Sequence, residues 1–139
     1  MSTKYTAEAI STGAGRNGRT RTSDGVVDFQ LAFPAELGGT GDGANPEQLF
    51  AAGYAACFHS ALQGVARGAK VDLGDSSVGS RVSLVKGDGG FGLEVELQVI
   101  IPGMPQEEAQ KLADQAHQAC PYSKATRGNI PVTVTVTDD

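Results

Sequence analysis

The residues best able to do covalent chemistry are two cysteines, Cys57 and Cys120. A pair of thiols admits three readings: packed bystanders, since a free cysteine behaves as a small hydrophobe; metal ligands; or redox partners. The metal reading draws on Cys57-x-His59 and His117-x-x-Cys120, which look like ligand pairs. Helix geometry weakens it. Side chains two residues apart on a helix point about 200° apart, so Cys57 and His59 cannot hold one ion on an intact helix. His117 and Cys120 can share a face, but the set falls short of a closed zinc site. No bound metal or cofactor is expected. Cys57 shares a helical face with Phe50, Gly53, Tyr54 and Ala61, so packing stays open as its role. Cys120 precedes Pro121, which biases it away from helical geometry. At a helix end, followed by a polar segment, it reads as placed for access rather than packing. His117 reads as a surface or helix-end histidine, and His59 as a partly buried one.

The elements that must position these thiols follow from periodicity. Val27, Phe29, Leu31 and Phe33 occupy every second position, the pattern of a half-buried strand. Residues 5–12 and 16–22 read as two earlier strands, and Ser23-Asp24-Gly25 as a tight turn. A glycine-rich loop covers residues 36–44. Asn45, Pro46 and Gln48 then mark a helix start: a capping side chain, a proline at the first helical position, and a capping-box partner. The helix continues over 49–65, apolar on nearly all sides, which places it in the middle of a structure. Val78, Val82 and Leu84 mark one strand; Leu93, Val95, Leu97, Val99 and Ile101 mark another, with Asp88-Gly89-Gly90 as hairpin chemistry between them. A second helix is expected over 105–119, with Glu107 and Glu108 near its positive end and a stripe of Ala109, Leu112, Ala113 and Ala116. Val132, Val134 and Val136 form the last strand. The order βββ-α-ββ-α-β predicts an α+β fold, with a central buried helix against an antiparallel-rich sheet.

A length of 139 residues fits one domain, residues 1–139. The net charge of −5 comes without any Lys/Arg cluster, which argues against a nucleic-acid partner. Residues 1–10 hold no apolar stretch of the signal-peptide kind, and the longest apolar run, 49–58, is about half a bilayer span. No membrane association is expected, and the location expected is cytoplasmic. Two cysteines in a reducing compartment are poor candidates for a permanent structural bridge.

The segment Asn45-Pro46-Glu47-Gln48-Leu49-Phe50-Ala51-Ala52-Gly53-Tyr54-Ala55-Ala56-Cys57-Phe58 resembles the first cysteine motif of the organic hydroperoxide resistance (Ohr) proteins, within the wider Ohr/OsmC superfamily. Cys120-Pro121-Tyr122-Ser123-Lys124-Ala125-Thr126-Arg127-Gly128-Asn129-Ile130 is similar to the second motif, and to the Ohr branch of it. Tyr5-Thr6-Ala7, Gly15-Arg16-Asn17-Gly18 and Gly90-Phe91-Gly92-Leu93 extend the likeness over nearly the whole chain. His59, Ser60 and Lys124 depart from the usual pattern. The resemblance implies a thiol peroxidase for alkyl and fatty-acid hydroperoxides, built as an intertwined homodimer and reduced by dihydrolipoyl groups of lipoylated proteins. It makes Cys57 the peroxidatic cysteine, Cys120 the resolving one, and Arg16 and Glu47 the charged pair of the site, with Arg19 as the other arginine nearby.

Chemistry gives these implied roles content. A thiol attacks peroxide as its thiolate, and at an ordinary pKa near 8.5 only about 3% is ionised at pH 7. A guanidinium within about 4–6 Å lowers that pKa by roughly one to three units. Arg16 would be that cation, held by a bidentate pair with Glu47. Ten residues of continuous helix separate Glu47 from Cys57 by about 15 Å. An arginine held by Glu47 therefore cannot readily reach Cys57 of the same chain, and a composite site at a two-fold interface is expected. Phe33, Phe50, Tyr54 and Phe58 are the apolar candidates for an alkyl chain, each of which could equally be core. The competing functions are a redox sensor that stops after one equivalent, a protein thiol–disulfide oxidoreductase, which the lack of a Cys-x-x-Cys motif counts against, and a structural protein with inert thiols.

Overall fold

The early alternating segments fold as β1 (Ala9–Thr12), β2 (Arg19–Thr22) and β3 (Asp28–Gln30) in the computed structural model, which describes residues 1–138. They make an antiparallel sheet in that order, with Ile10 opposite Arg21 and Thr20 opposite Phe29. Each strand is shorter than its pattern in the sequence. Arg16, expected to open a strand, lies instead on a 3-10 turn, Gly15–Asn17. Gly18 follows it because a Cβ there would collide with the Thr12 carbonyl. The half-burial expected for 27–33 is uneven: Leu31 is buried but Phe29 is exposed. Every residue of β1 is exposed.

The chain falls into two compact units, Met1–Leu49 and the residues from Phe50 on. Their boundary lies inside α1 (Pro46–Gly68), one turn from its start, and not in a linker. The start of α1 is the anticipated capping box. Asn45 Oδ1 accepts from the Gln48 N–H at 2.9 Å, and Gln48 Oε1 accepts from the Asn45 N–H at 3.0 Å. Tyr54, Phe58, Leu62 and Ala66 are its buried residues, one at every fourth position. Burial on all sides does not occur within one chain: Ala52, Ala56, Ser60 and Gly64 are exposed. One stripe of α1 meets the core, and its small residues on the other side meet nothing comparable.

In the second unit, β4 (Ser77–Gly87) and β5 (Gly90–Ile100) form a long hairpin, paired from Ser77 opposite Ile100 to Gly87 opposite Gly90. β6 (Val132–Val136) joins the other edge of β5 in parallel, Val95 opposite Val132 through Val99 opposite Val136. Parallel pairing requires a crossover, which α2 (Gln106–Ala119) and α3 (Pro121–Thr126) supply. The short α3 is the one element that the polar segment after Cys120 did not announce. Proline bars the continuation of α2 yet suits the first position of a new helix. The class is α+β, as expected. Its core joins the α1 stripe to Val95, Leu97 and Val99 of β5, Ile101, and Ala109, Leu112, Ala113 and Ala116 of α2. Fully burying one large apolar side chain stabilises by about 1.5–3 kcal/mol.

Candidate active site

Cys57 sits one turn after Tyr54 on α1, and Cys120 sits at the corner between α2 and α3. The corner is extended at Cys120 (φ −65°, ψ 124°), as the following proline demands. The Cys120 N–H donates to the Ala116 carbonyl at 2.8 Å, and its own carbonyl accepts from the Lys124 N–H at 3.0 Å. This brings together sulfurs 63 residues apart in sequence: Cys120 Sγ lies 3.5 Å from Cys57 Sγ and donates to it. Both are free thiols. A disulfide needs about 2.05 Å, so closure asks for a shift of roughly 1.5 Å. The exposure of the two is the reverse of the sequence expectation. Cys120 is fully buried and Cys57 only partly so, because α3 turns back over the corner and sinks Ser123 and Thr126 into the interior. The accessible sulfur is therefore Cys57.

Burial pushes the Cys57 thiol pKa up. The backbone N–H of Tyr122 opposes this by hydrogen-bonding the sulfur, while Cys120 adds to the rise. No positive charge acts on it among these groups. An open hollow of about 560 Å³ adjoins Cys57, lined by Ala61, Gly64 and Val65 of α1 and by Ala119 and Pro121. The expected alkyl contacts lie elsewhere. Tyr54 and Phe58 have no exposed surface and belong to the core. Phe50 is half-buried and packs edge-on against Tyr54, 6.1 Å between ring centres. Phe33, in the first unit, is half-buried. A side chain with no open surface cannot meet a substrate, so Tyr54 and Phe58 are corrected to core residues.

Arg16 and Glu47 both belong to the first unit and meet there in a fork. Nη1 donates to Oε2 and Nη2 to Oε1, each at 2.7 Å. The bond to Arg16 holds the Glu47 carboxyl below its usual range against a burial effect of opposite sign, and Glu47 raises the Arg16 pKa. Arg19 makes its own fork with Asp28, at 2.8 and 2.6 Å, in exposed surroundings. The arginine paired to Glu47 is thus Arg16.

Sequence reasoning passed over a buried polar chain beside the sulfurs. The Tyr54 hydroxyl lies 2.8 Å from Ser123 Oγ and 2.9 Å from Thr126 Oγ1, and His117 Nδ1 lies 2.8 Å from Ser123 Oγ. Burial, and then Arg127, lower the His117 pKa against the pull of Asp114, so the ring is held neutral. The available signal was the Ser123/Thr126 spacing of one helical turn, which only a helix after Pro121 makes meaningful. His59 bonds Ser76 at 3.0 Å. No cluster among the described residues has the ligands for a metal ion, and no described helix is long and apolar enough to cross a membrane.

The family model described as OsmC-like protein matches residues 39–135. The organic hydroperoxide resistance protein of Xanthomonas axonopodis pv. citri is 56% identical over 134 residues, covering 95% of this chain and 94% of the relative. OhrB of Bacillus subtilis is 47% identical, covering 92% and 94%. The crystal structure of an organic hydroperoxide resistance protein from Elizabethkingia anophelis superposes with a TM-score of 0.92 at 52% identity, covering both chains completely. A motif match on both cysteines, a shared fold and identity of this extent agree, and the chain belongs to the organic hydroperoxide resistance proteins of the OsmC-like family.

Proposed function

We propose that this protein is a cysteine-based peroxidase that reduces alkyl and fatty-acid hydroperoxides to alcohols. The observation that carries the reading is the approach of two free thiols to 3.5 Å, one accessible and one fully buried, from remote parts of the chain. The Cys57 thiolate attacks the peroxide O–O bond. That bond breaks, the alkoxide leaves and takes a proton to become the alcohol, and Cys57 becomes a sulfenic acid. Cys120 then attacks the Cys57 sulfur, forms the disulfide and releases water. A dithiol restores both thiols; dihydrolipoyl groups of lipoylated proteins are the proposed reductant. The largely apolar walls of the hollow at Cys57 suit an alkyl chain, and Phe50, half-buried in the same unit, is a further candidate contact.

The thiolate needs a positive charge, since burial first and Cys120 second raise the Cys57 pKa. Arg16, oriented by Glu47, is the proposed source. α1 is continuous from Pro46 to Gly68, so Glu47 and Cys57 lie about 15 Å apart along its axis. The Arg16–Glu47 pair of a second copy would serve each Cys57, in a homodimer with composite sites working in the cytoplasm. The test is turnover of an alkyl hydroperoxide with excess dihydrolipoamide. Wild type should cycle, Cys57→Ser should be inactive, and Cys120→Ser should react once and then stall or over-oxidise. Full turnover by Cys57→Ser would end the proposal.

A further inference from the structure

Tyr54 and Cys57 stand three residues apart on α1, and Cys120 and Ser123 three residues apart across the corner between α2 and α3. The two pairs face each other like rungs. One rung is the sulfur pair, at 3.5 Å; the other joins the Tyr54 hydroxyl to Ser123 Oγ, at 2.8 Å. We infer that the second rung positions the first: the buried chain His117–Ser123–Tyr54–Thr126 fixes the Cys120 corner against the Cys57 helix and thereby sets the rate of disulfide closure. The inference rests on the peroxidase reading for its oxidant, and Tyr54 becomes a positioning residue instead of a substrate contact.

Proton counting gives the chain a direction. Each hydroxyl has one proton to donate. Thr126 Oγ1 donates to the Ser123 carbonyl at 3.3 Å, and so accepts from Tyr54 at 2.9 Å. The Tyr54 oxygen then accepts from Ser123, and Ser123 Oγ accepts from His117 Nδ1–H at 2.8 Å. Reversing the order would cost the Thr126 bond to the Ser123 carbonyl, which would then accept from the Arg127 N–H at 2.8 Å. Arg127 Nη1 closes the assembly by donating to the His117 carbonyl at 2.8 Å. Tyr54 and Ser123 are fully buried and Thr126 is 5% exposed, where an unmet hydroxyl carries its whole desolvation penalty. The network is therefore stiff, and it spans the elements that bear the two sulfurs.

In closure, the Cys120 sulfur attacks the sulfur of the Cys57 sulfenic acid. The S–S bond forms, the S–O bond breaks, and hydroxide leaves with the Cys120 thiol proton as water. Of the two sulfurs, the preceding attack on peroxide uses only that of Cys57. Loosening the corner should slow closure and spare the attack.

The experiment uses full-length Tyr54→Phe, His117→Leu and His117→Asn, the last retaining a donor where Nδ1 lies. Single-turnover mixing with an alkyl hydroperoxide reads peroxide consumption, disulfide formation and sulfinic acid by intact mass. Diamide, an azo oxidant that closes dithiols without peroxide, is the second arm. Tyr54→Phe and His117→Leu should consume peroxide within about twofold of wild type yet close about tenfold more slowly, the scale of one buried hydrogen bond, with more sulfinic acid. His117→Asn should close at close to the wild-type rate. Closure unchanged in every variant overturns the inference, as does equal slowing in His117→Asn and His117→Leu. A wild type inert to hydroperoxide, with the same variant pattern under diamide, would sink the peroxidase reading and leave the positioning role standing. Should Tyr54→Phe fail to fold, the pair at the half-buried His117 decides alone.

Discussion

From Phe50 onward, helices and strands share one apolar cluster in which Tyr54, Phe58, Leu62, Leu97 and Val99 are fully buried. Up to Leu49 the contacts are of another kind: the forks Arg16–Glu47 and Arg19–Asp28, the Asp24 carboxylate against Thr22 and the Val26 N–H, and the capping box at Asn45. Ile10, Val26, Phe29 and Leu37 stay exposed there. One unit is held by its own core and carries both sulfurs. The other is held by polar contacts and carries the cation pair. On the peroxidase reading the chemistry is divided along the same line: the meeting of the thiols needs only the second unit, whereas the ionisation of Cys57 would need a positive charge, which is not among the causes acting on its pKa. The exposed Ile10 and Phe29 of the first unit's sheet are a surface that the proposed second copy would cover.

The strongest way to break this division is at Arg16. Arg16→Ala should reduce peroxide consumption at pH 7 on the order of a hundredfold, the loss of a pKa depression of one to three units, while diamide should still close the disulfide once the pH is raised enough to ionise Cys57. The Cys57 alkylation rate should titrate below the ordinary thiol range in wild type and above it in Arg16→Ala, where burial and Cys120 outweigh the Tyr122 N–H. Co-expressed Arg16→Ala and Cys57→Ser chains should recover roughly a quarter of wild-type activity, since half the dimers would hold one intact composite site. No recovery would place the cation on the same chain.

Stability sharpens the contrast next. Leu62→Ala empties a fully buried position and should cost about 2–5 kcal/mol in denaturant unfolding. Phe29→Ala, in β3 and 41% exposed, should cost less than about 1 kcal/mol. Equal costs would show that the first unit rests on a packed surface as much as the second does.

How much of this was legible depended on whether the signal was local. The capping box, the α2 stripe and the strict alternation of 93–101 are written in neighbouring residues, and the structure reproduces them. Partnering is not local. The alternation of 27–33 holds at Val27, Leu31 and Phe33 but does not say what covers Phe29, which stays exposed. The apolar girth of α1 promised burial on all sides, and only the stripe from Tyr54 to Ala66 found it. The sulfur pair was legible through the two motifs, but its exposure was not, because the residues after Pro121 show only a polar segment and not the helix α3. Once it is a helix, Ser123 and Thr126 point inward, Cys120 is covered, and Tyr54 acquires partners that no spacing in the sequence joins to it.

Acid should probe the polar unit selectively. The folded Glu47 pKa is depressed by Arg16, so the pair's stabilisation is complete above the unfolded value, about 4.3. It is lost as pH falls through that value toward the folded one. The wild type should exceed Glu47→Gln by about 1 kcal/mol near neutrality, a modest figure because Arg16 remains partly exposed. That difference should vanish in strong acid. A difference independent of pH would mean that Glu47 acts through packing and not through its charge.

The smallest expected effect lies where the helix of the second unit is thinnest. A Cβ on Gly53 would sit 3.3 Å from the Tyr122 ring, tighter than an ordinary contact. The obstacle is the far end of a side chain that is 44% exposed, so the ring can swing toward solvent. Replacing glycine by alanine inside a helix favours folding by about 0.8–1.0 kcal/mol, and the displaced ring gives up a tilted contact with Phe50 and an edge contact with Tyr54, worth a similar amount. Gly53→Ala should therefore leave unfolding within about 1 kcal/mol of wild type. The informative reading is the Cys57 alkylation rate. If only the ring moves, the Tyr122 N–H stays on the sulfur and the rate is unchanged. A slower reaction would show that the ring and the amide move together, and that Gly53 is needed for the Tyr122 hydrogen bond that opposes the rise in the Cys57 pKa.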